Sequence, residues 1–391
     1  MNEICPNCNG KGMTVFYQTD AVPVHSCLMM DQQEKAQAYP TRDLALGLCE
    51  QCGFISNVIF DPAAHEYSNQ YEDQQSFSPK FRDFQTRLCR DLIERYDIRR
   101  KKVLEIGCSK GDFLIELCEM GENDGIGVDP SSIPERARPL KAGSVEFIAD
   151  YYSEKYAHIE CDVVCCRHTL EHIYQTHEFV STVRHAIGDR KDTLVFFEVP
   201  DTGRVLREQA FWDIYYEHCS YFTPGSLSRV FKANRFEVLE LSKDFDDQYL
   251  LLVARPVDQP VGIEPWETED LEQTKNDAKT FAAGVHNRLS DLNNRIQQAK
   301  ARQQRVAIWG SGSKCVSFLS SAGINGEIDS VVDINPYRHG RFLAGSGKQV
   351  DSPEVLRELK PDVIFIMNPI YRGEIQNAVD EMGLQTELVA I

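Results

Sequence analysis

Cys5-Pro6-Asn7-Cys8 and Cys49-Glu50-Gln51-Cys52-Gly53 form two Cys-x-x-Cys pairs, each on a turn with Pro or Gly at hand. Four thiolates paired in this way can stand at the corners of a tetrahedron around zinc and leave no open position for water, so the expected metal is structural. His25 and Cys27 lie between the pairs and could replace a ligand, though without the paired spacing. A second group is Val103 to Phe113, VLEIGCSKGDF, an apolar run that breaks into a glycine turn and resumes with helical spacing. Val103, Leu104 and Ile106 supply a strand. Gly107 and Gly111 leave room for a ligand to approach the backbone, and the next helix points its N-terminus at it. Alone, such a loop speaks for a nucleotide and no more. Asp129 follows the run Gly125 to Val128, at a strand end where a carboxylate can accept from both ribose hydroxyls. Asp150 follows Val145 to Ile148 and is placed to accept from an adenine amino group.

Two further groups carry imidazoles. Arg167-His168-Thr169-Leu170-Glu171-His172 contains H-x-x-E-H, an inverted zinc-protease string. Those ligands need a continuous helix, whereas His168 directly follows the buried run Asp162 to Cys166, which excludes a protease site. His168 and His172 are then expected at the carboxyl edge of a sheet, facing a ligand, with a structural histidine as the alternative for His168. Phe211 to Leu227, FWDIYYEHCSYFTPGSL, brings Tyr215, Glu217 and His218 within four residues. An imidazole takes a proton near neutral pH and a neighbouring carboxylate can fix its tautomer. An aromatic lid over the core is the other reading of this segment. Tyr67 and Tyr71 stand in the polar stretch Glu66 to Phe81, where a packed ring with a surface hydroxyl is the plain alternative.

The elements that must position these residues follow from hydrophobic periodicity. Phe81, Phe84, Leu88, Leu92 and Ile93 predict an amphipathic helix over Pro79 to Tyr96. From Val103 the pattern alternates strands and helices, which predicts a mostly parallel sheet. Thr193 to Val199 is its fifth strand, and Phe236 to Leu241 with Gln248 to Ala254 closes one edge as an antiparallel pair. A linker over Pro256 to Pro265 leads to one long helix within Leu271 to Gln304. A second α/β unit begins at Arg305 with VAIWG, the turn Gly310 to Cys315 and the strand Ser330 to Pro336, which carries Asp333. Cys315 stands where a dinucleotide fingerprint has its third glycine, so this unit is expected to serve another ligand.

A chain of 391 residues is long enough for two or three domains. Its net charge of −18 argues against a polyphosphate chain as partner, so nucleic acid is not expected. No apolar run reaches the length of a membrane span, and MNEICPNC lacks a basic and then apolar leader. Its 13 cysteines therefore read as reduced thiols in a cytoplasmic protein.

Taken together, the motifs resemble the zinc-containing, S-adenosylmethionine-dependent sugar C-methyltransferases of deoxysugar biosynthesis. The resemblance covers nearly the whole chain. It is carried by the two Cys-x-x-Cys pairs, the Tyr-Ser-x-x-Tyr loop (Tyr67 to Tyr71), Leu170 to Ile173, Tyr215-Tyr216-Glu217-His218, and GSGSK with VVDINP. It implies an α/β protein with a zinc-binding N-terminal module (residues 1–70) and a class I methyltransferase, Rossmann-like core (71–258). A linker with a long helix (259–304) and a second Rossmann-like domain that helps hold the nucleotide sugar (305–391) follow. By the same resemblance Glu105, Gly107, Ser109, Gly111, Asp129, Asp150 and His168 belong to the S-adenosylmethionine side, and His218, Glu217, Tyr215, His172 and Tyr71 to the acceptor side. Cys5, Cys8, Cys49 and Cys52 are the metal ligands. The implied substrate is a keto nucleotide sugar, with Lys314, Arg338, Arg341 and Arg372 as candidates for its diphosphate, and the expected state is a monomer. Ser109, in place of a glycine, His168, ahead of the usual histidine, and the Cys-Ser-Tyr-Phe run after His218 depart from the pattern. An O- or N-methyltransferase on the same scaffold, or a nucleotide-sugar or nucleic-acid binding protein without turnover, are the alternatives.

Overall fold

The computed structural model describes residues 4–64, 70–136, 138–324 and 326–391 and contains three sheets. Tyr67 lies outside the described residues. The central sheet has seven strands in the order Phe236–Asp244, Tyr249–Pro256, Leu194–Pro200, Val163–Arg167, Lys102–Ile106, Asp124–Val128, Ser144–Ile148. The last five in that order run parallel; Tyr249–Pro256 pairs antiparallel with Leu194–Pro200. Parallel strands covered on both faces read as continuous apolar runs, and Val163–Arg167 is buried at all five positions. The chain leaves Lys102–Ile106 toward one edge of the sheet and returns at Val163–Arg167 on its other side. The carboxyl ends of these two neighbours form the crevice in which open α/β sheets bind ligands.

The helix Pro79–Tyr96 covers one face of this sheet. Ser78 caps it by accepting from the Phe81 N–H at 3.2 Å, Pro79 occupies its first turn, and Asp97 ends it in the left-handed region. Phe81, Phe84, Leu88, Leu92 and Ile93 are buried along one stripe, and each such side chain contributes about 1.5–3 kcal/mol.

The C-terminal sheet has five parallel strands, with Val306–Trp309 at its centre between Ser330–Val332 and Val363–Ile366. The third sheet is N-terminal: Met13–Pro23, Thr41–Cys49, Ile55–Asn57 and then Ser220–Tyr221, two residues from the segment after the fifth central strand. Ser56 pairs with Ser220 and Ile55 with Tyr221, so the Tyr215–His218 segment is fastened to the cysteine-bearing module. One apolar cluster joins Leu44 and Leu46 of that module, Phe211 and Tyr216 of the segment, Phe281 of the long helix Pro265–Ala301, and Phe318 of the C-terminal unit. Among the described residues no helix is long and apolar enough to cross a membrane.

Candidate active site

A cavity of about 370 Å³ opens where the central crevice, the Phe211–Tyr221 segment and the C-terminal unit meet. Of the residues singled out in the sequence, Glu105, Gly107, Ser109 and His168 line it from the cofactor loop and the neighbouring strand end, and Tyr71, His172, Tyr215 and His218 from the opposite side. Gly111, Asp129, Asp150 and Glu217 are not on its wall.

On the acceptor side the rings of His172 and His218 meet edge to face at 4.7 Å, and Tyr215 lies 4.1 Å from His218. His172 pairs through Nδ1 with the Glu217 carbonyl at 3.1 Å and lines the cavity. The Glu217 carboxylate is fully buried behind this wall, where its Oε1 accepts from the Ser26 N–H at 3.0 Å and from the Ser26 hydroxyl. Ser26 Oγ in turn lies 2.7 Å from Ser313 Oγ, whose hydroxyl donates to it from the start of the first C-terminal helix. The C-terminal unit grips the segment a second time: Lys314 and Arg204 both pair with Asp213, and Ser317 bonds the Phe211 and Ile214 carbonyls at 3.2 and 2.6 Å. The segment that carries His218 is thus held by three parts of the chain.

On the opposite side the turn after Lys102–Ile106 is built for close approach. Gly107 and Gly111 have φ of +73° and +85°; a Cβ at Gly107 would collide with the Thr169 side chain, and one at Gly111 with the Phe147 ring. Ser109 between them also lies in the left-handed region, at φ +48°, and its hydroxyl donates to Asp73 at 2.7 Å. Asp129 accepts the Ser109 N–H at 2.8 Å through one oxygen and the Ser131 N–H and hydroxyl through the other, so it braces the loop. Lys110 donates to the carbonyls of Tyr71 and Ser131, tying the stretch before the Pro79–Tyr96 helix down onto the turn. Glu105 is 2% exposed; burial, with Arg167 opposing, pushes its carboxyl up to about 8, and its Oε2 has no hydrogen-bond partner among the described residues.

Glu198, which the sequence reading passed over, gathers a set of buried charges at the ends of Val163–Arg167 and Leu194–Pro200. Arg167 holds Glu198 with two bonds at 3.0 and 3.1 Å, and His168 Nε2 is 2.6 Å from the same carboxylate. His168 Nδ1 faces Glu171 at 3.6 Å. Burial alone would lower the His168 pKa, but Glu198 and Glu171 raise it to about 9, so the ring is an imidazolium. It sits at φ +48°, and the residues that follow form only a single turn, Leu170–His172, in place of the helix a zinc protease needs.

Two family models match this chain: a methyltransferase domain over residues 81–241 and a C-methyltransferase C-terminal domain over residues 264–387. The C-methyltransferase NovU of Streptomyces niveus is 24% identical over 301 residues, 70% of either chain. These matches show an S-adenosylmethionine-dependent methyltransferase with a C-methyltransferase C-terminal domain. Similar solved structures include the Burkholderia thailandensis 1,6-didemethyltoxoflavin-N1-methyltransferase, with 18% identity over 44% of this chain and 79% of that one at a TM-score of 0.35. The PH0226 protein of Pyrococcus horikoshii is 16% identical over 49% of this chain and all of its own, at a TM-score of 0.37.

For this methyltransferase the cavity fits the methyl donor on one chemical ground above others: a buried carboxylate without a partner, Glu105, beside two glycines that no side chain could replace. Asp150 lies at the far end of the sheet edge, where Lys155 and Tyr156 hold its carboxylate and Lys155 lowers its pKa to about 2. The four cysteines also converge. Cys5 and Cys52, and Cys8 and Cys49, have sulfurs 3.7 Å apart, and all four lie within 4.8 Å of one another. Tetrahedral zinc with Zn–S bonds of about 2.3 Å sets its sulfurs about 3.8 Å apart, so the set fits that ion. Cys27 is elsewhere, against Ser313 and Arg338 on the cavity wall, and His25 bonds Tyr39.

Proposed function

We propose that this enzyme methylates a carbon next to the ketone of a nucleotide-linked sugar. The observation that carries the proposal is the composition of one cavity: an imidazole, His218, flanked by His172 and Tyr215, faces the cofactor loop, while two cations of the C-terminal unit, Lys314 and Arg338, stand on the same wall. Of the four candidate diphosphate partners only these two line the cavity; Arg341 is exposed and Arg372 bonds the Leu388 carbonyl. Arg338 is 6% exposed, and its Nε has no partner among the described residues. Buried guanidinium groups of this kind suit phosphate oxygens.

A ketone acidifies the neighbouring C–H. His218 takes that proton on a ring nitrogen, and the electron pair moves to the ketone oxygen as an enolate. Tyr215 and His172 donate to that oxygen, where charge develops. Glu105 receives the ammonium of S-adenosylmethionine, and Gly107 to Gly111 admit its nucleoside. Held there, S-adenosylmethionine would supply the methyl group that the enolate carbon takes. Glu217, through Ser26, holds the backbone that carries His218. The four cysteines hold a structural zinc, and the Ile55–Asn57 pairing carries its rigidity to Ser220–Tyr221. Purified His218→Ala and Tyr215→Phe, assayed against a panel of nucleoside-diphosphate keto sugars with product analysis by position, test this reading. Wild-type rates in both variants refute it.

A further inference from the structure

The carboxylate beside the His218 imidazole is not the one next to it in sequence. Glu217 turns away to Ser26, whereas Glu171 lines the cavity, and one of its carboxylate oxygens, one ring nitrogen of His172 and one of His218 lie within 4.8 Å of one another. Glu171 is 2% exposed and its Oε2 finds no hydrogen-bond partner among the described residues, a costly arrangement for an anion unless a partner arrives during function. Its other oxygen faces the His168 imidazolium at 3.6 Å.

We infer that Glu171 is a positioning residue for the base: its carboxylate orients the His218 ring and stabilises the imidazolium formed when His218 removes the proton beside the ketone. This rests on the reaction proposed above. The C–H bond breaks, an N–H bond forms on His218, and the electron pair goes to the ketone oxygen. Glu171 keeps its charge throughout and takes no proton, as the carboxylate of a hydrolase triad does. The groups that face this pair are His172 from the same turn, His168 from the strand end, and Tyr215 and Tyr221 from the His218 segment.

The test uses two readouts. The first is deuterium uptake at the carbon beside the ketone, followed by NMR with S-adenosylhomocysteine bound so that methyl transfer cannot occur. Glu171→Gln is expected to slow uptake about 100-fold or more, the lower end of what general-base catalysis provides, with sugar and cofactor affinities within threefold of wild type. Glu171→Asp should recover part of the rate. The second readout needs no sugar: in ligand-free protein labelled with ¹³C-histidine, the His218 pKa should fall on going to Glu171→Gln, because the anion that favours the imidazolium is gone. Unchanged uptake with an unchanged His218 titration overturns the assignment. If wild-type protein exchanges no sugar proton, the reaction proposed above fails, and the histidine titration still decides the Glu171–His218 pairing. Restoration of activity to chelator-treated, zinc-replete wild type by Mn²⁺ or Co²⁺ alone would give the cluster to a catalytic metal and also overturn it.

Discussion

Glu105 offers the sharpest test of how the methyl donor is held. In the ligand-free protein its carboxyl is buried and pushed up to about 8, so at pH 7 it is largely protonated. If the donor's ammonium pairs with it, binding must expel that proton. Linkage then fixes the sign. Affinity rises with pH below 8, by up to about tenfold per unit, and levels off once Glu105 is ionised without ligand. The amine of the ligand has an ordinary pKa of about 8, so loss of its own proton turns the curve down at higher pH. The expected profile is therefore a bell with its maximum near pH 8. Titration calorimetry in buffers of different ionisation enthalpy reads the same event directly, as release of close to one proton at pH 6.5. Glu105→Gln keeps the shape and removes the acid. In that variant the rising limb and the proton release should both vanish, with affinity at pH 8 lower by about tenfold or more, the scale of one charged hydrogen bond. A rising limb that survives in Glu105→Gln would show that another group titrates, and the Glu105 assignment would fall. The same carboxyl makes the ligand-free fold less stable with rising pH: its folded pKa lies above the unfolded value of 4.5, so its contribution is complete below 4.5 and lost as pH passes through about 8. Donor binding should therefore raise Tm more at pH 8 than at pH 6.

Other outcomes follow from named contacts. Ser109→Gly relieves a left-handed serine, about 1–2 kcal/mol, but removes the hydroxyl that ties Asp73 to the loop, worth about 1.5–3 kcal/mol if Asp73 is charged. The bond outweighs the strain, so cofactor affinity, measured by calorimetry, is expected to be unchanged or weaker, and a tighter complex would reverse that ranking. Gly107→Ala places a methyl on the Thr169 hydroxyl and should abolish cofactor binding while the circular dichroism of the fold persists. Chelator treatment, or Cys49→Ser, should cost turnover before it costs cofactor affinity, because the N-terminal sheet carries Ser220–Tyr221 and not the glycine loop; parallel loss of both in a stopped-time assay would contradict this. Ser317→Ala removes the donor to two carbonyls of the His218 segment and should lower stability by about 1–2 kcal/mol in urea unfolding.

The parts of this fold that the chain declares openly are those governed by a period. The helix Pro79–Tyr96 is marked by its apolar stripe and its serine and proline entry, and the five parallel strands of the central sheet by short, largely apolar runs. The Ser220–Tyr221 strand has no period to read, since two residues cannot show alternation, and its partner Ile55–Asn57 lies more than 160 residues earlier. Only the tertiary structure joins them. Side-chain direction is hidden for the same reason. Glu217 adjoins His218 in the chain, so sequence proximity nominates it as the base's partner, yet the two lie on a turn closed by the His218 N–H on the Tyr215 carbonyl at 3.2 Å, and their side chains leave it in different directions. Glu217 faces Ser26 behind the wall, and the carboxylate on the cavity side of His218 is Glu171, in a string from which the sequence singled out only the two histidines. The placement of Asp150 makes a similar point. A strand end at the carboxyl edge is a necessary address for a base reader, but Ser144–Ile148 is the outermost strand, and there the local cation Lys155 takes the carboxylate first. The inner positions differ because burial denies them such neighbours. Glu105, between two covered strands, feels Arg167 only through space, and its Oε2 has no hydrogen-bond partner among the described residues.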